Sequence, residues 1–243
     1  MKILKLKMGL LILVSLCIVT TSIAEAADGK TVIEQNRCAS CHDMSGNVAK
    51  TIADVLNKKA PDLFYAGSKF QDKFLVEFLQ RPHRIRPAGT VFLNYVTPGD
   101  EIDHIQEPPL CESKLSAEDA KAATQYLMTL KDPNMQTGVY KPGAGFSKSS
   151  AKMVFFKSGA CNACHQVQVD EGGSIKGGVS APTLYNAGSR LNGDWVFNYL
   201  KDPQHWEPKV WMPKRELPDS TWLLLTNYIM TMAKSEEMRK AEK

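Results

Sequence analysis

Apolar residues return at helical spacing in several stretches of the chain. Phe70, Phe74 and Phe78 stand four residues apart and predict a helix, and Leu191, Trp195 and Tyr199 repeat that spacing later on. Lys152-Met153-Val154-Phe155-Phe156 reads as a short helix just ahead of a cysteine pair. A further helix is expected after Leu115 and again after Leu217. Ser116, with Asp119 three residues on, is a helix-start signature. No convincing alternation of apolar and polar residues appears, so strands are not expected. Between these patterned stretches, 131–150 holds Pro133, Gly138, Pro142, Gly143 and Gly145 and reads as a turn-rich linker. At the N-terminus, Lys2, Lys5 and Lys7 surround the start of an apolar run, Met8 to Val19, broken only by Ser15. Ala24-Glu25-Ala26 follows. This is the layout of a secretory signal peptide over 1–26. The run is short for a bilayer span of about 20 residues. Export to the periplasm is expected, with membrane contact only if this segment is retained.

The patterned stretches occur twice. At constant offset, Ala60-Pro61-Asp62-Leu63 falls on Ala181-Pro182-Thr183-Leu184, and Ala66-Gly67-Ser68-Lys69 on Ala187-Gly188-Ser189-Arg190. The same offset lays Phe70, Phe74, Phe78, Leu79 and Pro82 on Leu191, Trp195, Tyr199, Leu200 and Pro203. Near the ends, Tyr126-Leu127-Met128-Thr129 falls on Tyr228-Ile229-Met230-Thr231. Self-similarity of this kind means two copies of one unit. The expected layout is a first domain over 27–131, a linker over 132–150, and a second domain over 151–243. The second domain ends in a mixed charge run from Lys234, read as a solvated helix end.

Composition bounds the class. A hydrophobic fraction of 43% and a charged fraction of 23% are those of a globular protein. They exclude a disordered chain and a polytopic membrane protein. The net charge of +4 is too small to point to nucleic acid. The cysteines change the picture. Cys17 lies in the leader; the rest are Cys38, Cys41, Cys111, Cys161 and Cys164. Cys38-Ala39-Ser40-Cys41-His42 and Cys161-Asn162-Ala163-Cys164-His165 are both C-x-x-C-H, the attachment pattern of c-type haem. Two thiols three apart can form thioethers on one porphyrin edge, and the next residue, His42 or His165, points an imidazole at the iron. Zinc or a dithiol redox pair would not call for a histidine directly after each pair. The pattern therefore predicts two covalently bound haem c groups.

On these residues each half resembles a class I cytochrome c domain, and the whole resembles the diheme cytochromes built from two. The resemblance implies an all-α fold of two tandem domains, each wrapped around one covalently attached haem. It also implies that Pro61 and Pro182 back the proximal histidines through their carbonyls, which fixes the ligand's orientation. In the family a methionine before the last helix supplies the sixth ligand. Trp211-Met212-Pro213 matches, making Met212 the expected ligand of the second haem. The first half departs from this pattern. Its loop, about 83–114, is longer, and no methionine lies between Met44 and Met128. That loop offers His104, Cys111 and His83 as sixth ligands, with a five-coordinate iron as the remaining option. A histidine or thiolate would put the first haem at lower potential than a His/Met centre. Arg86 and Arg190 are propionate candidates because a guanidinium offers forked donors. Lys69, Arg84, Lys209 and Lys214 read mostly as solvated. Trp211 and Trp206 flank Met212 and are candidates to cover the haem edge.

The function implied is an exported diheme cytochrome passing electrons between redox proteins, a dehydrogenase on one side and an oxidase or reductase on the other. Two alternatives stand beside it. One is a fixed cytochrome subunit of a periplasmic complex. The other is a diheme enzyme acting at the first haem on a small sulfur compound or peroxide.

Overall fold

The computed structural model describes residues 28–168 and 173–233. The predicted leader and the charged C-terminal run lie outside the described residues.

The described chain is mostly helical. In order come α1 (Gly29–Gln35), α2 (Ile52–Leu56), α3 (Ala66–Lys69), α4 (Asp72–Gln80) and α5 (Ala117–Leu127). The C-terminal half holds α6 (Lys148–Met153), α7 (Ala187–Arg190), α8 (Gly193–Lys201), α9 (Pro203–Trp206) and α10 (Asp219–Met230). A π-helical turn, Val154–Ser158, carries α6 onward. Strands are confined to two antiparallel pairs of two residues each. The pair β1 (Val96–Thr97) with β2 (His104–Ile105) lies in the long loop. The pair β3 (Val167–Gln168) with β4 (Ile175–Lys176) follows the second cysteine motif. Runs this short carry no detectable alternation, which is why the pattern of the chain does not reveal them.

Local chemistry sets the helix ends. The Asp28 carboxylate accepts from the amides of Lys30 and Thr31 and caps α1. Thr51 and Asp54 form a reciprocal capping box on α2. The Ser116 hydroxyl accepts from the Asp119 amide at 3.1 Å, as the start signature predicts. In the N-terminal half α5 packs on α1 and α4; in the C-terminal half α10 packs on α6 and α8. The short helices α3 and α7 butt against the ends of α5 and α10. A methyl at Gly67 would lie 2.3 Å from the Met128 carbonyl oxygen, and one at Gly188 would lie 2.1 Å from that of Met230. Only a residue without Cβ permits this approach.

The halves meet along a shared seam. Phe70 pairs antiparallel with Leu191. The Gln71 amide donates to the Arg190 carbonyl at 3.0 Å, and the Asn192 amide to the Lys69 carbonyl at 2.8 Å. The Gln71 side chain donates to the carbonyls of Gly188 and Leu191. One apolar core runs through both halves, with Phe70, Phe74 and Leu75 contiguous with Trp195, Phe197 and Trp206. The predicted linker has no helix before Lys148. It is nevertheless held down. Asp194 accepts from the amides of Gly138, Val139 and Tyr140, and Asn198 exchanges bonds with Gln136.

Candidate haem sites

Both cysteine motifs adopt one local shape. The residue before each stands in left-handed backbone, Arg37 at φ 53° and Ala160 at φ 48°. A 3₁₀ turn follows, Cys38–Ser40 and Cys161–Ala163. The amide of His42 then donates to the Cys38 carbonyl, and that of His165 to the Cys161 carbonyl, each at 3.0 Å. The second histidine bond in each half involves the ring. His42 Nδ1 donates to the Pro61 carbonyl at 2.7 Å, and His165 Nδ1 to the Pro182 carbonyl at 2.6 Å. A carbonyl only accepts, so Nδ1 carries the proton and Nε2 keeps its lone pair for a metal. The prolines are themselves seated. The Leu63 amide donates to the Asp43 carbonyl, and the Leu184 amide to the Gln166 carbonyl.

Burial tunes these groups. It pushes the His165 imidazole down to about 4 against the Pro182 bond, with Arg86 and Arg190 adding to the effect. Burial lowers His42 as well. Neutral imidazole is the form that binds iron. Burial raises the Cys161 and Cys38 thiols, and at Cys38 the nearby Cys111 adds to the rise.

In the C-terminal half these groups open on a cavity of about 740 Å³, well within the size of a cofactor pocket. Cys161, Cys164, His165, Pro182 and Met212 line it, with Leu191, Trp195 and Tyr199 from α7–α8 and Leu225 and Ile229 from α10. Trp211 also lines it and rests edge-on against Phe92 of the long N-terminal loop, ring centres 5.3 Å apart. Gln204 holds the Met212 carbonyl at 3.1 Å. Trp206 is elsewhere: it is buried against Tyr65 and Trp195 at the seam. Gly178 and β4 fold back over the motif, the Gly178 amide donating to the Asn162 carbonyl. A methyl there would meet the Ala163 carbonyl oxygen at 1.9 Å. The apolar walls, paired thiols and fixed imidazole fit a covalently held porphyrin.

The sixth-ligand candidates of the N-terminal half are spread out. His104 is exposed on β2, opposite Thr97. His83 packs edge-on against Phe74 and Phe78, with its Nε2 buried. Cys111 is half-buried and within electrostatic reach of Cys38. Met44 packs on the core.

Sequence reasoning missed a charged cluster at the seam. Lys69, expected in solvent, and Arg190, expected at a haem propionate, are 6% and 3% exposed. Lys69 lies over the rings of Tyr65, Phe70 and Trp195, and burial lowers its ammonium to about 8. Arg190 donates to the Thr183 carbonyl at 2.7 Å and to Asn186, and burial lowers it to about 9. Both line the cavity, as do Arg86, Asp62 and Glu207. The signal available in the sequence was the matched pair Lys69 and Arg190 inside the Ala-Gly-Ser repeat. Arg84 and Lys214 are tied outside the cavity, to Glu107 with Pro108 and to Asp202 respectively. Among the described residues no group of three or more His, Cys, Asp or Glu side chains is arranged to hold a bare metal ion. Nor is any helix among them long and apolar enough to cross a membrane.

Residues 26–131 match the family model of cytochrome c. No curated protein and no solved structure matches the chain. The match supports a c-type cytochrome, an electron-transfer protein that holds haem c covalently.

Proposed function

We propose that this chain is an exported diheme cytochrome c of two tandem domains that carries single electrons between redox proteins in the periplasm. The observation that carries this reading is the second motif. It repeats the first in backbone turn, histidine amide bond and ring bond to a proline carbonyl. Haem supplies a one-electron iron couple. The chain's own residues do the rest: thiols anchor the edge, Pro61 and Pro182 orient the imidazoles, and α4, α8 and α10 exclude water. Met212 serves as sixth ligand in the C-terminal half, supported by its place on the cavity wall with His165. The first half uses a ligand other than methionine. The positions of His83 and Cys111 favour either of these over the exposed His104.

The test is haem counting by mass and alkaline pyridine absorption on the exported protein. Two haems are expected, falling to one in the Cys161→Ser, Cys164→Ser double variant. One haem in the wild type would sink the diheme reading. Met212→Ala should abolish the weak near-infrared band of sulfur-ligated iron. His83→Ala and Cys111→Ala, read by magnetic resonance, should divide so that one alone changes the first site.

A second reading has one observation in its favour. Leu93, Ile102, Ile105, Leu110 and Trp211 expose 44–76% of their surface. All but Trp211 lie in the long loop, as a docking element of a cytochrome subunit would. Persistent co-purification with a partner would move the assignment there; a lone monomer in sedimentation would not.

A further inference from the structure

Met212 lies in a stretch with little main-chain support. Between α9 and α10, residues 207–218 form no helix or strand. Among the described residues, the Met212 carbonyl is the one main-chain group of 211–217 that takes part in a hydrogen bond within the chain. Its donor is the Gln204 side-chain amide, at 3.1 Å. Gln204 stands on a firm base: α9 is a single turn whose Pro203 and Trp206 are buried, with Trp206 against Tyr65 and Trp195. The other side-chain bonds of the stretch lie beyond the methionine. Lys214 pairs with Asp202 in an exposed position, and Arg215 donates to the carbonyls of Ser158 and Gly159.

Two observations separate Gln204 from an ordinary packing residue. Its Oε1 is buried with no hydrogen-bond partner among the described residues. Leaving a buried acceptor unsatisfied is unfavourable, and an apolar side chain at this place would avoid it. The amide is therefore present for its donor. The internal repeat points the same way. Gln204 follows Pro203 as His83 follows Pro82. The half with a methionine in its loop has an amide donor here; the half without one has an imidazole packed on Phe74 and Phe78.

We propose that Gln204 is a positioning residue for Met212: its amide fixes the main chain that carries the sulfur, so that the thioether stays on the second iron in both oxidation states. This rests on the reading of Met212 as sixth ligand. A thioether is a neutral, soft donor and holds ferric iron less tightly than ferrous iron. The ferric form is therefore the one that depends on how the loop is held. A loop already held in place loses little freedom when the sulfur binds, whereas a loose one must be ordered first. Hydrogen-bond partners behind a ligand are worth about 10–100-fold in metal affinity. Without the Gln204 bond, the sulfur yields more readily to water or an added base in the ferric form. The reduction potential of the second site then falls, because the oxidised form gains a ligand that the reduced form does not.

The test is near-infrared magnetic circular dichroism and imidazole titration of the ferric, haem-loaded full chain, with a redox titration beside them. Gln204→Leu keeps the bulk and removes the donor. It should weaken the band of sulfur-ligated iron, tighten the apparent imidazole affinity of that site by about tenfold, and lower its reduction potential. Lys214→Ala releases the exposed pair of the same stretch and should leave all three at wild-type values. Met212→Ala should abolish the band outright. If Met212→Ala changes neither the band nor the imidazole affinity, the ligand reading fails and the positioning role with it. If Met212→Ala behaves as expected while Gln204→Leu matches wild type, the positioning role alone is overturned. An equal effect of Lys214→Ala and Gln204→Leu overturns it too, because any loosening of the stretch would then suffice. Should Gln204→Leu fail to load haem, the same measurements on Gln204→Ala decide.

Discussion

Arg37 and Ala160 each hold a side chain in left-handed backbone, which costs about 1–2 kcal/mol against the right-handed form. That cost is accepted in both halves at the residue before the first cysteine. The bend starts the 3₁₀ turn that sets two thiols and a histidine at one rim. At the same scale Ser116 satisfies the Asp119 amide at the start of α5. Ser116→Ala removes that acceptor and should cost about 1 kcal/mol in denaturant unfolding. The haem absorption of the folded protein should be unchanged, because α5 starts away from the motif. A loss of haem binding would show that the cap positions the site as well as the helix.

At the scale of elements, α8 does two tasks. Its apolar face carries Trp195, Val196 and Leu200 into the cavity wall. Its first turn turns outward, and there Asp194 collects three amides of the linker. Bonds to an ionised acceptor contribute about 1.5–3 kcal/mol. Asp194→Ala should therefore free residues 136–140 to proteolysis and fast amide exchange, and lower stability by about that amount. Unchanged protection would mean the linker is held by other contacts. The linker's glycines and prolines announce turns in the sequence, but not the carboxylate that receives them, because Asp194 is distant along the chain. The same holds for the long loop. Its extra length is legible from the repeat offsets. Its small β1–β2 ladder and the contact of Phe92 with Trp211 are not, since a two-residue strand leaves no period to read.

At the scale of the molecule, the seam makes the halves one folding unit. The apolar core is continuous across it, and Gln71 donates to two carbonyls of the other half. Gln71→Ala leaves both carbonyls without that donor and should cost about 1–3 kcal/mol. Calorimetry of the wild type should show one cooperative transition, since neither half can unfold without exposing the shared core. Two separated transitions in the wild type would contradict that account. The seam also explains why Lys69 and Arg190 are buried: each continues a short helix that ends against the other half.

The sequence alone determined the features whose chemistry is local. Two C-x-x-C-H runs, prolines 19 and 17 residues past their histidines, a helix start at Ser116 and aromatics four apart all act within a short stretch of chain, so their spacing is their meaning. Met212 stood out because Trp211-Met212-Pro213 lies just before the last helix, where the resembled family places its methionine ligand. What only tertiary structure decided is how distant stretches share space. Of the candidate ligands in the long loop, His104 is exposed on a hairpin, whereas His83 lies against two aromatic rings. Glu207 accepts from Tyr65 of the other half, a residue far away along the chain. Burial and electric field depend on neighbours that the chain brings together from far apart, and no spacing along the sequence encodes them.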